Sequence, residues 1–266
     1  MPPPPTLTSL GLARAPRDHP LTYPGPWPAA SALLQGDRLL PLDRLTHPGR
    51  TPVLAVGSNA CPGQLRHKMD EFGIASPIPM TKARVAGLEV GVSAHVSRLG
   101  YISASPVDAP GAVRELFVIW LDDEQLRVVD ASEGADSPEG NYARVPLPGP
   151  EFRVELENGH VLPGTYAYVN RHGVLHDGTG APRRHLDQRT LITELLKKSA
   201  ELRRLFGGTP EEFCARARAD ADLCERGTRL LREEKLVTAS GLEHLYAPRR
   251  RGRNATPQVR SAGPPS

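Results

Sequence analysis

Two short stretches place groups capable of chemistry where local structure does not ask for them. In "VLAVGSNACPGQLRHKM", from Val53 to Met69, four apolar residues run into Gly57, Ser58 and Asn59, and Pro62 then opens a segment with helical spacing. A plain turn needs only one permissive residue. Here a glycine, a hydroxyl and an amide stand together at the mouth of a helix, where unspent backbone N–H groups attract an anion or a developing oxyanion. Asn59 ahead of Pro62 would also serve as a simple helix cap, and the residues alone do not choose between the two uses. In "DDEQLRVVDASEGADSPEGNYARV", a short helix delivers Glu133 immediately before Gly134. An acid at a helix C-terminus faces the negative end of the macrodipole, so helix stability gives no reason for it. A solvated loop glutamate is the plainer reading of that residue.

Other candidates are weaker. His172 and His176 are four apart, a metal-like spacing on a helix, but Gly173, Gly178 and Gly180 argue against a helix there, and no metal site is expected. Cys61 lies beside the loop with His67 nearby, a pattern that a buried cysteine explains more simply than a nucleophile. Ser58 lacks a Gly-x-Ser-x-Gly frame, and neither a phosphate-binding loop nor a dinucleotide fingerprint occurs. No cofactor is therefore expected. Asp136 and Glu139 read as loop acids. Arg249, Arg250, Arg251 and Arg253 have no interleaved aromatics, so no specific nucleic-acid partner is expected.

The elements that must position the two stretches are mostly strands. "TPVLAVG" is a continuous apolar run, and "ARVAGLEVGVSAHV", "GYISASPV", "RELFVIWL", "YARVPL", "FRVELE" and "GTYAYV" follow as strand-like segments punctuated by Gly, Pro, Asp and Asn. Helical spacing is read for "PGQLRHKMDEF" and "DDEQLRVVDA". It is read again for two later runs, from Leu186 to Phe206 and from Thr209 to Val237, the latter opening with Thr209, Pro210 and Glu212 in capping positions. The organisation expected is α+β. Residues 1–50 form a proline-rich extension, partly flexible, with Trp27, Leu33, Leu34, Leu39 and Leu40 docked on the core. Residues 51–180 form the strand-rich body, 181–247 a helical portion packed on it, and 248–266 a disordered basic tail.

With 266 residues, 39% of them hydrophobic, the chain suits one core with tails. A net charge of +3, from 33 Lys and Arg against 30 Asp and Glu, does not itself imply nucleic acid. Cys61, Cys214 and Cys224 cannot all pair within the chain, which fits a reducing, cytoplasmic location. No window approaches the roughly 18 apolar residues of a membrane helix, so no membrane partner is expected. Oligomeric state is not readable.

The order of "GSNACPGQLRHKM", then "LRVVDASEG", then "NYARV" resembles the gamma-glutamylcyclotransferase-like family. Its members show a Tyr-Gly-Ser-Asn loop after the first strand and an acid in a Leu-Asp-x-x-Glu-Gly context before a Tyr-x-Arg-Val strand. The matching residues are Gly57, Ser58 and Asn59, then Asp130 and Glu133, then Tyr142 and Arg144, over about residues 51–169. The resemblance implies a small mixed β-barrel with flanking helices and a helical C-terminal extension. It implies Glu133 as the catalytic acid/base, and Val56, Gly57, Ser58, Asn59, Ala60 and Tyr142 as contacts to a small-molecule gamma-glutamyl substrate. In such a substrate the alpha-amine attacks the gamma-carbonyl of the same molecule, giving 5-oxoproline and a free amine, with one carboxylate shuttling the proton. Val56 stands where the family shows tyrosine, which implies an altered substrate fit. Two other functions fit the same fold: a binding or scaffold protein without chemistry, and an amide hydrolase in which water replaces the internal amine.

Overall fold

The computed structural model describes residues 4–42, 44–45 and 49–246, so the basic tail expected at 248–266 lies outside the described residues. The N-terminal part supplies a hairpin, β1 (Ala32–Gln35) and β2 (Arg38–Pro41). The body follows as β3 (Thr51–Ala55), α1 (Pro62–Glu71), β4 (Ile78–Val92), β5 (Ala104–Leu121), α2 (Asp123–Glu133), β6 (Tyr142–Pro148), β7 (Arg153–Leu156), β8 (Gly164–Asn170) and β9 (Val174–Leu175). Helices α3 (Gln188–Lys198), α4 (Ala200–Phe206), α5 (Pro210–Ala219) and α6 (Ala221–Glu233) come next, closed by β10 (Val237–Thr238).

The architecture is α+β around one mixed sheet, ordered β2-β1-β4-β5-β3-β8-β6, with β7 also paired to β4. All pairs are antiparallel except β3 with β8. Among the described residues no ladder joins β2 to β6, so the sheet is open where a closed barrel was expected. Both outermost strands carry prolines, Pro41 on β2 and Pro146 and Pro148 on β6, and a proline has no N–H to extend a ladder.

The sheet is covered on both faces, which is why β3 reads as an unbroken apolar run. Val53 and Ala55 point with Phe117, Ile119 and Leu121 toward α1 and α2, packing on Leu65, Met69 and Val129. Leu54 points the other way, with Leu116, Val118, Val145, Leu147, Val154 and Val169. The N-terminal segment is part of this packing: Leu7 and Leu34 are buried in the first cluster, and Trp27 and Leu39 lie against it.

The two late helical runs each break once. Ser199 and Asp220 turn extended, and each side chain accepts the N–H three residues on, so one residue ends a helix and caps the next. Thr209 and Glu212 form the expected capping box. These helices share a core with Val92, Val96 and Ile102 at the far end of the long β4–β5 hairpin.

Candidate active site

Beyond Ala55 the chain leaves β3 through Val56 and Gly57 and tightens into a 3-10 turn at Ser58–Ala60 before α1. Asn59 does not cap the helix. Its amide Nδ2 donates to Glu133 Oε1 at 3.1 Å, and its Oδ1 accepts from Lys68 Nζ at 2.8 Å. The N–H groups of Ser58 and Asn59 meet no protein acceptor among the described residues. Gly57 is glycine for a steric reason, since a Cβ there would overlap the hydroxyl oxygen of Tyr23.

Glu133 is the last residue of α2, and its side chain keeps only 17% exposure. The turn that aims it is held by three devices. Asp122 caps the other end of α2 with a full capping box against Gln125. Asp130 accepts from Arg144 Nε at 2.9 Å on β6 and from Tyr168 Oη at 2.7 Å on β8, which ties the last helical turn to the sheet. Gly134 ends the helix at φ 69°, a left-handed conformation that suits glycine. The helix thereby stops with Glu133 facing the loop.

The counter-charge comes from a residue that the sequence reading passed over. Lys68 on α1 is 7% exposed and spends all three ammonium protons, on Asn59 Oδ1, on Ser132 Oγ at 2.7 Å and on Glu133 Oε1 at 3.2 Å. It offsets the unfavourable meeting of an acid with the negative end of α2. A signal existed: Leu65, Lys68 and Met69 share the buried stripe of α1, and a lysine inside such a stripe needs a partner. Glu133 Oε1 is thus held by Asn59 and Lys68, while Oε2 receives no protein donor among the described residues.

These groups border a cavity of about 400 Å³, within the range of small-molecule sites. Val56, Gly57, Ser58, Asn59, Tyr142 and Glu133 all line it. Ala60 does not, being fully buried in the core beside Leu65 and Met69. Tyr142 is buried and donates its hydroxyl proton to the Ala104 carbonyl at 3.0 Å. Tyr23, Tyr101 and Arg17 also line the cavity, none of them singled out by the sequence reading. Arg17, at the rim, pairs with Glu71 at 2.8 Å. Burial pushes the phenols of Tyr23, Tyr101 and Tyr142 well above their usual range, so all three stay protonated.

The weaker candidates fall elsewhere. Cys61 is buried with its thiol pushed up to about 11 by desolvation, and His67 faces Asp18 at 3.7 Å. His172 lies in the turn before β9 and meets Asn141 Oδ1 at 2.9 Å, whereas His176 meets the Lys235 carbonyl at 2.8 Å. The two rings have different partners. Asp136 and Glu139 are exposed. Among the described residues no group of three His, Cys, Asp or Glu side chains could hold a metal ion, and no helix is long and apolar enough to cross a membrane.

No family model matches the chain, and neither does any curated protein. Solved structures with a similar chain path include a gamma-glutamyl cyclotransferase, at 12% identity over 68% of this chain and 99% of that one, with a TM-score of 0.37. An uncharacterized protein from Homo sapiens is 17% identical over 46% of this chain and 66% of its own length, with a TM-score of 0.33. YkqA from Bacillus subtilis is 12% identical over 72% of this chain, which spans 56% of its length, with a TM-score of 0.35. With TM-scores below 0.5, these likenesses carry neither a fold assignment nor residue roles.

Proposed function

We propose that this chain cyclises a gamma-glutamyl amide to 5-oxoproline, releasing the attached amine, with Glu133 as general base and then general acid. The observation that carries this reading is a partly buried carboxylate with one oxygen pinned and the other free, sharing a cavity with unspent backbone donors. Oε2 takes a proton from the substrate's alpha-amine as that nitrogen attacks the gamma-carbonyl. The C–N bond to the leaving amine then breaks, and the same proton passes to the departing nitrogen. The carboxylate ends as it began. The Ser58 and Asn59 N–H groups stabilise the oxyanion between those two steps, an effect of up to about 10²- to 10³-fold per donor in comparable sites. Lys68 and Asn59 hold the carboxylate in place; they do not themselves move protons.

Chromatography with mass spectrometry on a panel of gamma-glutamyl peptides and amines tests this. Wild-type protein should yield 5-oxoproline and an equal amount of amine, and Glu133→Gln should lose at least about 10²-fold of that rate. Turnover surviving in Glu133→Gln would remove the carboxylate from the mechanism. Glutamate in place of 5-oxoproline would make the chain a hydrolase.

A further inference from the structure

Tyr142 and Tyr23 grip the same peptide group from two sides. Tyr142 Oη donates to the Ala104 carbonyl, so its one proton is spent. Tyr23 Oη instead accepts the Ala104 N–H at 2.7 Å, and an N–H can only donate. The proton of Tyr23 must therefore go elsewhere, and among the described residues no protein group accepts it. The residue is 5% exposed, lines the cavity, and carries its oxygen close to Gly57, the residue that precedes Ser58 and Asn59 in the loop.

The ring is held firmly for a residue from a proline-rich segment. It stacks on Tyr101 at 4.5 Å between centroids and leans on His185 at 5.4 Å. The 3-10 turn Pro20–Thr22 just before it packs against α3 and α5. Upstream, Leu12 accepts the Gly63 N–H at 3.2 Å, and the Arg17 N–H donates to Gln64 Oε1 at 3.1 Å, so the segment is fastened to the start of α1. Val56 packs against the Tyr23, Tyr101 and Ala104 cluster, and its small side chain leaves that space to the Tyr23 ring.

We propose that Tyr23 is a catalytic residue supplied by the N-terminal segment, its hydroxyl donating to the substrate's gamma-carbonyl oxygen as negative charge develops there, alongside the Ser58 and Asn59 N–H groups. This rests on the cyclotransferase reading of the same cavity. It also gives the C-terminal helices a task, since α3 and α5 brace the turn that delivers Tyr23.

The test uses full-length Tyr23→Phe and Gly57→Ala, with two readouts. The first is steady-state kinetics: Tyr23→Phe should lower kcat about 10²- to 10³-fold while KM rises no more than about tenfold, the pattern of a donor whose bond is far stronger in the transition state than in the ground state. Gly57→Ala, whose methyl displaces the phenol oxygen, should lower kcat similarly, and the double variant should be no worse than the poorer single one. The second is calorimetric binding of 5-oxoproline, which needs no turnover and should weaken about tenfold in Tyr23→Phe. Normal turnover and binding in a folded Tyr23→Phe would overturn the proposal and leave the cyclotransferase reading standing. Weakened 5-oxoproline binding in Tyr23→Phe, beside a wild-type protein that binds 5-oxoproline but turns over no substrate, would overturn that reading and the catalytic role with it, leaving Tyr23 a binding contact. If Tyr23→Phe does not fold, unchanged kcat in Gly57→Ala overturns the proposal. Wild-type protein that neither turns over substrate nor binds 5-oxoproline overturns both.

Discussion

Replacing Lys68 by Met deletes one charge from the site and keeps an apolar stem of similar length in the buried stripe of α1. The ammonium makes three contacts, at 2.7, 2.8 and 3.2 Å. Ser132 Oγ retains a bond to the Val129 carbonyl, so the groups left short are Asn59 Oδ1 and the Glu133 carboxylate. Removing one member of a buried ion pair costs about 3–5 kcal/mol. Glu133 keeps 17% exposure and its bond from Asn59, so water recovers part of that loss, and about 2–3 kcal/mol is expected. At about 2–4 °C per kcal/mol for a chain of this size, Tm should fall by about 5–10 °C. Urea titrations of wild type, Lys68→Met, Glu133→Gln and the double variant give the pairwise term directly. The double variant, with no stranded charge, should be more stable than the sum of the single effects predicts by about 1.5 kcal/mol or more. A Lys68→Met loss below about 0.5 kcal/mol with additive single effects would refute the buried pair and the pinned carboxylate with it.

Other expectations follow from neighbouring features. A Cβ at Gly140 would overlap the Gly134 carbonyl, so Gly140→Ala should shift the loop behind Glu133; a loss of kcat about tenfold or more is expected in kinetics, and an unchanged kcat would show that the loop does not matter to the acid. Burial holds His95 down to about 3 and His185 down to about 4. The unfolded chain gains protons below about pH 6.5 that the native chain refuses, so stability falls with pH through the window from 6.5 toward 4. Between pH 7 and 5 each ring should cost about 2 kcal/mol, read as lower urea midpoints, and His95→Gln should remove about half of that slope; identical midpoints at the two pH values would show that these rings take up protons in the native state. Cys61, Cys214 and Cys224 are buried with thiols pushed up to about 11, so a chromogenic disulfide reagent at pH 8 should label none rapidly in native protein and all three after denaturation. Rapid native labelling of one thiol would reopen Cys61 as a nucleophile.

What the sequence made legible was local. Pro62 at the start of α1, the acids opening α2 and the Thr209 box all act through neighbours within a turn, and the chain folds there as they dictate. Asp130, Arg144 and Glu133 stood out by their order, and the geometry gives that order a cause: the first two form the pair that orients the helix end carrying the third. Less legible were features set by distant partners. "GYISASPV" and "RELFVIWL" read as separate strands because Asp108, Pro110 and Gly111 stand between them, yet Pro106 and Pro110 both fall within β5. Pro106 pairs in register with Val90, and Pro110 sits in the excursion at 109–112 opposite Gly87. Asn59 could be a cap or a ligand contact as long as only its neighbours in sequence were visible; its partners come from later in α1 and from the end of α2. Tyr23 gave no signal at all. It lies in a proline-rich stretch without periodicity, and only tertiary packing brings its oxygen to Gly57.

In the proposed reaction an internal amine, not water, attacks the gamma-carbonyl under the control of Glu133. Turnover of a gamma-glutamyl substrate in ¹⁸O-enriched water, with products analysed by mass, tests it most directly. Wild-type protein should give 5-oxoproline carrying no heavy oxygen, formed in equal amount with free amine and abolished in Glu133→Gln. Glutamate bearing ¹⁸O in its gamma-carboxylate, or 5-oxoproline formed equally well by Glu133→Gln, would contradict it.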